Sequence, residues 1–352
     1  MTRTRPGSPI WNGGTNDGTG CVLTGNDRAT ARTVFLQKCG WATASIVALA
    51  GDASKRRYFR LHRGRESAVL MDAPQQDSSN RRFQEISAFL NRAGLSAPVI
   101  YTSDLDVGFM LIEDFGDNLF VRHDDKGSTL TLYKTAAEVL LHMRDLDPTP
   151  LALTRLTVDT LVDMIGPTFD WYATDISLEA RAEIQARLLE VFSPLDKLKA
   201  AMSLRDYHSE NLLWLPDRGS VARVGLLDFQ DAVLIHPAYD LVSLLQDARR
   251  DLEPDIVAAT IEHYLKKSSD DGDKFRLCYA LLGLQRNLRI LGVFARLAVR
   301  DRKTSYLKFL PRVWQFVQEN LAHPALSDLR RPFADVLPPP QVRIPQLLAD
   351  AA

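Results

Sequence analysis

Residues 203–215 read SLRDYHSENLLWL. Arg205, Asp206, His208, Glu210 and Asn211 crowd together, and the chain then turns apolar at once. A solvated turn would explain the polarity but not the apolar run behind it. A loop that must hold polar atoms in place needs a rigid strand directly behind it. A second apolar run, RVGLLDF (223–229), follows after PDRGS (216–220), a turn-type sequence. Read as a hairpin, the two runs set Asn211 at the start of one strand and Asp228 at the end of its partner. Those two ends lie side by side in an antiparallel pair, with Asp206 on the loop just before them. Carboxylate and carboxamide oxygens are hard ligands, suited to magnesium carried in with substrate phosphates. A carboxylate not consumed by a metal can orient a hydroxyl and accept its proton. Together these groups are the minimum apparatus for phosphoryl transfer, where positioning and charge neutralisation dominate.

Outward from this segment the chain divides in two. Before it, SIVALA (45–50), RYFRLHR (57–63) and SAVLMDA (67–73) read as strands, and SAPVIYTSDLDVGFMLIEDFGD (96–117) reads as two more. A helix opens near Asp27 and stops at Gly40. Another carries Phe83, Ile86, Phe89 and Leu90 on one face and stops at Gly94. After residue 117 the pattern is helical to about residue 322, interrupted only by the opening segment and its partner strand. The expectation is an α+β, bilobal architecture: a leader over 1–27, a small β-rich lobe over 28–115 and a large helical lobe over 116–328. Residues 329–352 are expected to form an extended, Pro-rich tail. The 352 residues carry a formal net charge of -1, which argues against a nucleic-acid binder. Cys21, Cys39 and Cys278 show no paired spacing, so neither a disulfide framework nor a zinc site is expected. No apolar run reaches membrane-spanning length, and the expected location is the cytoplasm.

The spacing D-x-x-x-x-N, followed by a strand ending in D-F, resembles the catalytic loop and metal-binding Asp of protein-kinase-like enzymes. RDYHSENLLWL (205–215) with GLLDFQDAVLIHPAYDL (225–241) more closely resembles the aminoglycoside phosphotransferase family. Within it, the likeness is to the branch that includes bacterial anomeric kinases of N-acetylmuramate and N-acetylglucosamine. GDASKRRYFRL (51–61), VLMDAP (69–74), MLIEDFGD (110–117) and LQRNLRILGVFARL (284–297) resemble it too. The resemblance implies a protein-kinase-like fold using ATP and Mg2+, with Asp206 as the catalytic Asp and Asn211 and Asp228 as magnesium ligands. It implies a hinge whose backbone from Glu113 to Phe115 meets the adenine edge. It also implies a phosphate-covering loop with Ser54, Lys55 and Arg57. An acceptor near Asp206 would come within reach of His208, Glu210, Gln230 and Asp231.

Two positions depart from that pattern. Leu204 stands where the catalytic loop usually has a His, and Met71 stands where the third strand usually carries a phosphate-pairing Lys. Either Lys55 or Arg57 then supplies the positive charge from the neighbouring strand or nucleotide affinity is weak, and Glu85 is left without its usual partner. The acids Glu210, Asp231 and Asp247 are balanced by Arg249 and Arg250, which suits a neutral or anionic sugar better than a cationic drug. The expected function is transfer of a γ-phosphoryl group to a hydroxyl of a small molecule, an amino sugar in cell-wall recycling. The alternatives are an aminoglycoside or other small-alcohol kinase, and, because of Met71, a nucleotide-binding regulatory module of pseudokinase type.

Overall fold

The computed structural model describes residues 25–49, 56–74 and 77–351. Most of the expected leader, and Ser54 and Lys55 of the phosphate-covering loop, lie outside the described residues. The N-lobe runs α1 (Gly25–Lys38), β1 (Ser45–Leu49), β2 (Arg57–Arg63), β3 (Glu66–Asp72), α2 (Ser78–Arg92), β4 (Ile100–Asp104) and β5 (Phe109–Ile112). Both glycine stops hold: Gly40 and Gly94 have φ of 77° and 78°, a conformation that ends a helix at little cost only for glycine. Asp77 caps α2 by accepting from the Ser79 N–H at 2.8 Å.

The five strands pair antiparallel in the order β1-β2-β3-β5-β4. Period-two alternation gives the sheet two apolar faces. Leu61, Ala68, Leu70, Phe109 and Leu111 pack outward against Phe35, Leu36 and Trp41. Val69, Met71, Met110 and Ile112 pack inward, into the same core as Phe83 of α2 and the helical lobe. Met71 is fully buried there.

The helical lobe holds α3 (Lys126–Arg144), α4 (Val158–Asp163) and α5 (Leu178–Phe192) before the opening segment. There β6 (Ala201–Ser203), β7 (Leu212–Trp214), β8 (Val224–Leu226) and β9 (Val233–Ile235) form two short ladders, β6 with β9 and β7 with β8. Then come α6 (Ala238–Leu245), α7 (Pro254–Lys267), α8 (Gly272–Val299), α9 (Leu310–Leu321), α10 (Ser327–Val336) and α11 (Pro340–Asp350). The hairpin is fastened to the interlobe linker and to the N-lobe: the Trp214 N–H donates to Asn118 O at 2.8 Å and the Leu226 N–H to Ser96 O, between α2 and β4, at 2.7 Å. A Cβ on Gly225 would meet the Phe115 ring at 2.9 Å, so this strand needs glycine to approach the hinge. Gly292 does the same for α8, since a Cβ there would lie 2.1 Å from the Pro167 carbonyl carbon.

The extended tail is corrected. Residues 327–350 fold into α10 and α11, although Pro332 and Pro345 sit inside those helices. Each interior proline removes a backbone bond and costs about 3 kcal/mol. Burial of Leu329, Phe333 and Leu347, none of them more than 1% exposed, offsets that cost. Among the described residues no helix is long and apolar enough to cross a membrane.

Candidate active site

The catalytic loop follows β6 and is hung from one buried carboxylate. Asp240, on α6, accepts from Ser203 Oγ at 2.7 Å, from the Leu204 N–H at 2.7 Å and from the Arg205 N–H at 3.0 Å. Burial pushes the Asp240 carboxyl up to about 6, and these bonds with the Arg286 charge pull against it. Arg205 then turns into the left-handed region, φ 69°, a strained conformation for arginine that the brace sustains. Beyond the turn, side chains sort by side. Leu204, Tyr207, His208 and Ser209 go inward and are buried. Tyr207 donates to Ala136 O at 2.9 Å and Ser209 Oγ to Asp247 Oδ2 at 2.8 Å. Leu204 thus replaces the usual histidine as a packing residue. Arg205, Asp206, Glu210 and Asn211 keep partial access to solvent.

The hairpin brings the oxygen groups together. The Leu227 N–H donates to Asn211 O at 3.0 Å, next to Asp228. Asn211 Nδ2 donates to Asp206 O at 2.9 Å, which ties its carboxamide to the catalytic loop. Asp228 has φ 55°, a second strained residue at the site. Its carboxylate stands at the open face of the cleft and accepts from Gln230 Nε2 at 2.8 Å. Surrounding protein mass still pushes its carboxyl up, as do the Asp206 and Asp231 charges; Gln230 and Arg56 pull it down. Phe229 stacks on Phe83 of α2 at 4.8 Å, locking this segment to the N-lobe.

Among the described residues no cluster of three or more His, Cys, Asp or Glu makes a closed metal cage. Asn211 and Asp228 instead offer two oxygens at an open position. That donor set fits a hard divalent cation bound together with phosphate oxygens.

The remaining expected residues fall in different places. His208 lies behind Asn211, its Nε2 3.3 Å from Asn211 Nδ2, and burial drives its imidazole down to about 4. Glu210 pairs with Arg249 at 3.0 Å. Gln230 is tied to Asp228, and Asp231 is exposed beside it. At the hinge, the Glu113 N–H is spent on Val99 O at 2.8 Å, and the Glu113 side chain pairs with Arg218. The Arg218 guanidinium also covers the Phe115 ring at 5.0 Å.

Arg57, expected to reach phosphate, points to the outer face and pairs with Asp72 at 2.7 Å. Arg56 is the guanidinium on the cleft side. It is 6% exposed, donates to Ser79 Oγ at 2.7 Å, lies over the Phe83 ring at 5.7 Å and acts on the Asp228 charge. Sequence reasoning had no means of separating the two neighbours. The pairing of Tyr58 with Met71 decides it, because Met71 lies on the inward face and alternation then carries Arg56 and Tyr58 to that side. Glu85 is exposed on the solvent side of α2.

A family model described as "Phosphotransferase enzyme family" matches residues 45–278. The chain belongs to this family. An N-acetylmuramate/N-acetylglucosamine kinase of Caulobacter vibrioides is 36% identical over 355 aligned residues, covering 89% of this chain and 98% of the relative. The enzyme of the same name from Pseudomonas aeruginosa is 31% identical, over 82% of this chain and 89% of its own. Among solved structures, a choline/ethanolamine kinase family protein from Mesorhizobium loti superposes with a TM-score of 0.60 at 15% identity, covering 88% of this chain and 98% of that one. The phosphotransferase family explains the arrangement: a sheet lobe over a helical lobe, with the acidic loop and hairpin between them.

Proposed function

We propose that this phosphotransferase is an ATP- and magnesium-dependent kinase of an amino sugar, N-acetylmuramate or N-acetylglucosamine, acting at the anomeric hydroxyl. The observation that carries the reading is the convergence of Asp206, Asn211 and Asp228 through the Asn211–Asp206 and Leu227–Asn211 bonds. The names of the two bacterial relatives support the acceptor class. Asp206 accepts the acceptor hydroxyl proton while the oxygen forms its new bond to the γ-phosphorus; the bridging bond to the β-phosphate breaks and ADP leaves. Asn211 and Asp228 would hold magnesium, which when bound would neutralise charge on the phosphates. Gln230 keeps the Asp228 carboxylate turned toward that position. Glu113, its N–H committed to Val99, meets the adenine edge through its carbonyl oxygen. Arg56 takes the place of the absent third-strand lysine and supplies a two-pronged donor for phosphate oxygens.

A coupled assay for ADP release over both amino sugars, other sugars, amino alcohols and aminoglycosides tests the reading. Turnover of either N-acetylated sugar above the rest supports it. ADP release only with an aminoglycoside or an amino alcohol, or with nothing, overturns it.

A further inference from the structure

Within β2, Phe59 and Leu61 pack with the outer apolar cluster, so alternation carries Arg60 between them to the cleft side. Its ladder partner is Val69 on β3, and Val69 in turn pairs with Ile112, the residue before the hinge. Arg60, Val69 and the hinge therefore stand at one level of the sheet. From there the Arg60 guanidinium reaches the hinge itself. Nη1 donates to Asp117 Oδ2 at 2.7 Å, and Nη2 donates to Asp117 Oδ1 at 3.1 Å and to Gly116 O at 3.0 Å. Nε stands 2.9 Å from Asp114 Oδ2, an ion pair without hydrogen-bond geometry. Asp114 is itself a fixed anchor: its side chain is 6% exposed, and Oδ1 accepts from the Gly116 N–H at 2.9 Å. An arginine grips phosphate through its N–H edge. Here every nitrogen of that edge is turned to a hinge oxygen, which leaves the flat face. The ligand chemistry that uses such a face is a planar aromatic ring. The hinge supplies the complementary edge contact, since among the described residues the Phe115 N–H makes no hydrogen bond. A ring nitrogen bonded there would draw its ring inward, beneath Val69 and Arg60.

We propose that Arg60 is the platform on which the nucleobase stacks, its guanidinium face against the adenine ring. Asp114 and Asp117 are the positioning residues that hold that face in place. The inference rests on the ATP-dependent kinase reading and sharpens it. The two cleft-side arginines then divide the nucleotide: Arg56 meets phosphate with its edge and Arg60 meets the base with its face.

The test measures the affinity of the full chain for ADP, adenosine and tripolyphosphate, with magnesium present, by calorimetry. Arg60→Met should weaken ADP and adenosine by the same factor, about 10-fold, and leave tripolyphosphate within about twofold. Arg60→Lys keeps a charge for Asp114 and Asp117 but has no flat face, so it should lose as much as Arg60→Met. A melting curve without ligand checks that each variant folds, and the milder Lys substitution carries the test if the Met variant does not. Parent affinity in Arg60→Lys overturns the platform, because the charge pairs alone would then account for Arg60. A parallel loss of tripolyphosphate also overturns it, as the mark of a displaced hinge. Tighter ADP binding by Arg60→Met overturns it too, since the side chain would then fill the place of the base. The unaltered chain reports on the kinase reading separately: if it binds no ADP, that reading fails and the platform with it.

Discussion

On the helical side of the cleft, Asp206 and Asn211 hang from a loop whose backbone N–H groups are tied to Asp240 and whose next residues enter a hairpin. On the sheet side, Arg56, Arg57 and Arg60 reach their places through long side chains that pair with Ser79, Asp72 and Asp114. The difference follows from what each group must do. A proton acceptor and metal ligands need positions fixed to within about half an ångström, which backbone bonding provides. A phosphate-binding guanidinium needs reach and a fork of donors more than a fixed Cα, so any strand whose alternation faces the cleft can supply it. The helical wall accordingly keeps its spacing in the sequence, while the sheet wall carries its cleft-side cation, Arg56, just before β2 and leaves Met71 in the core of β3.

Four experiments strain this contrast, beginning with the largest expected effect. Asp206→Ala should lower kcat by about 10³-fold with the ATP-dependent thermal shift retained; full activity would show that another group accepts the proton. Asp240→Asn should lower kcat by about 10- to 100-fold, because an amide has one acceptor oxygen and sets an NH2 donor against the N–H of either Leu204 or Arg205. Its KM for ATP should stay near that of the parent. Unaltered kcat would mean that the loop holds its shape without the brace.

Arg56→Met should raise KM for ATP by about 10-fold, whereas Arg57→Met, which loses only a partner of Asp72 on the outer face, should leave it within about twofold. The reverse ranking would place the phosphate cation on the other face of the sheet.

The smallest effect is on stability. His208 and His236 are held down to about 4 by burial. The unfolded chain therefore binds more protons than the folded one between about pH 4 and 6.5, and stability is lost as pH falls through that window. Asp240, pushed up to about 6, contributes the opposite slope between its ordinary value and 6. Asp228, also raised by burial, adds to that opposite slope, but the two histidines are displaced across the whole window, so the melting midpoint should fall on acidification from pH 6.5 to 4.5 and stay flat above. His236→Gln should flatten that fall; an unchanged profile would place the titration elsewhere.

The strands of the sheet lobe, the glycine stops at Gly40 and Gly94, and the hairpin joining Asn211 to Asp228 were all legible in the sequence. Each rests on local rules: alternation, positive φ and turn chemistry. The tail was misread because two prolines in a Pro-rich stretch argue for extended chain. The spacing of Leu329 and Phe333 shows its value only when another surface exists to bury them. His208 looked like a possible acceptor contact, yet a buried position is invisible until the loop is folded against Asp247 and Asn211.

By itself the sequence determined that Asp206, Asn211 and Asp228 meet on the helical wall, because one short loop and one hairpin link them and local geometry carries them together. Only the tertiary structure decided where the cations stand. Arg56 was separated from Arg57 by a strand register, and Arg286 was brought to Ser243, near the Asp240 brace, by the packing of α8 on α6 across a long interval of chain. Contacts of that range depend on which faces are buried against each other, and no local pattern of residues encodes that choice.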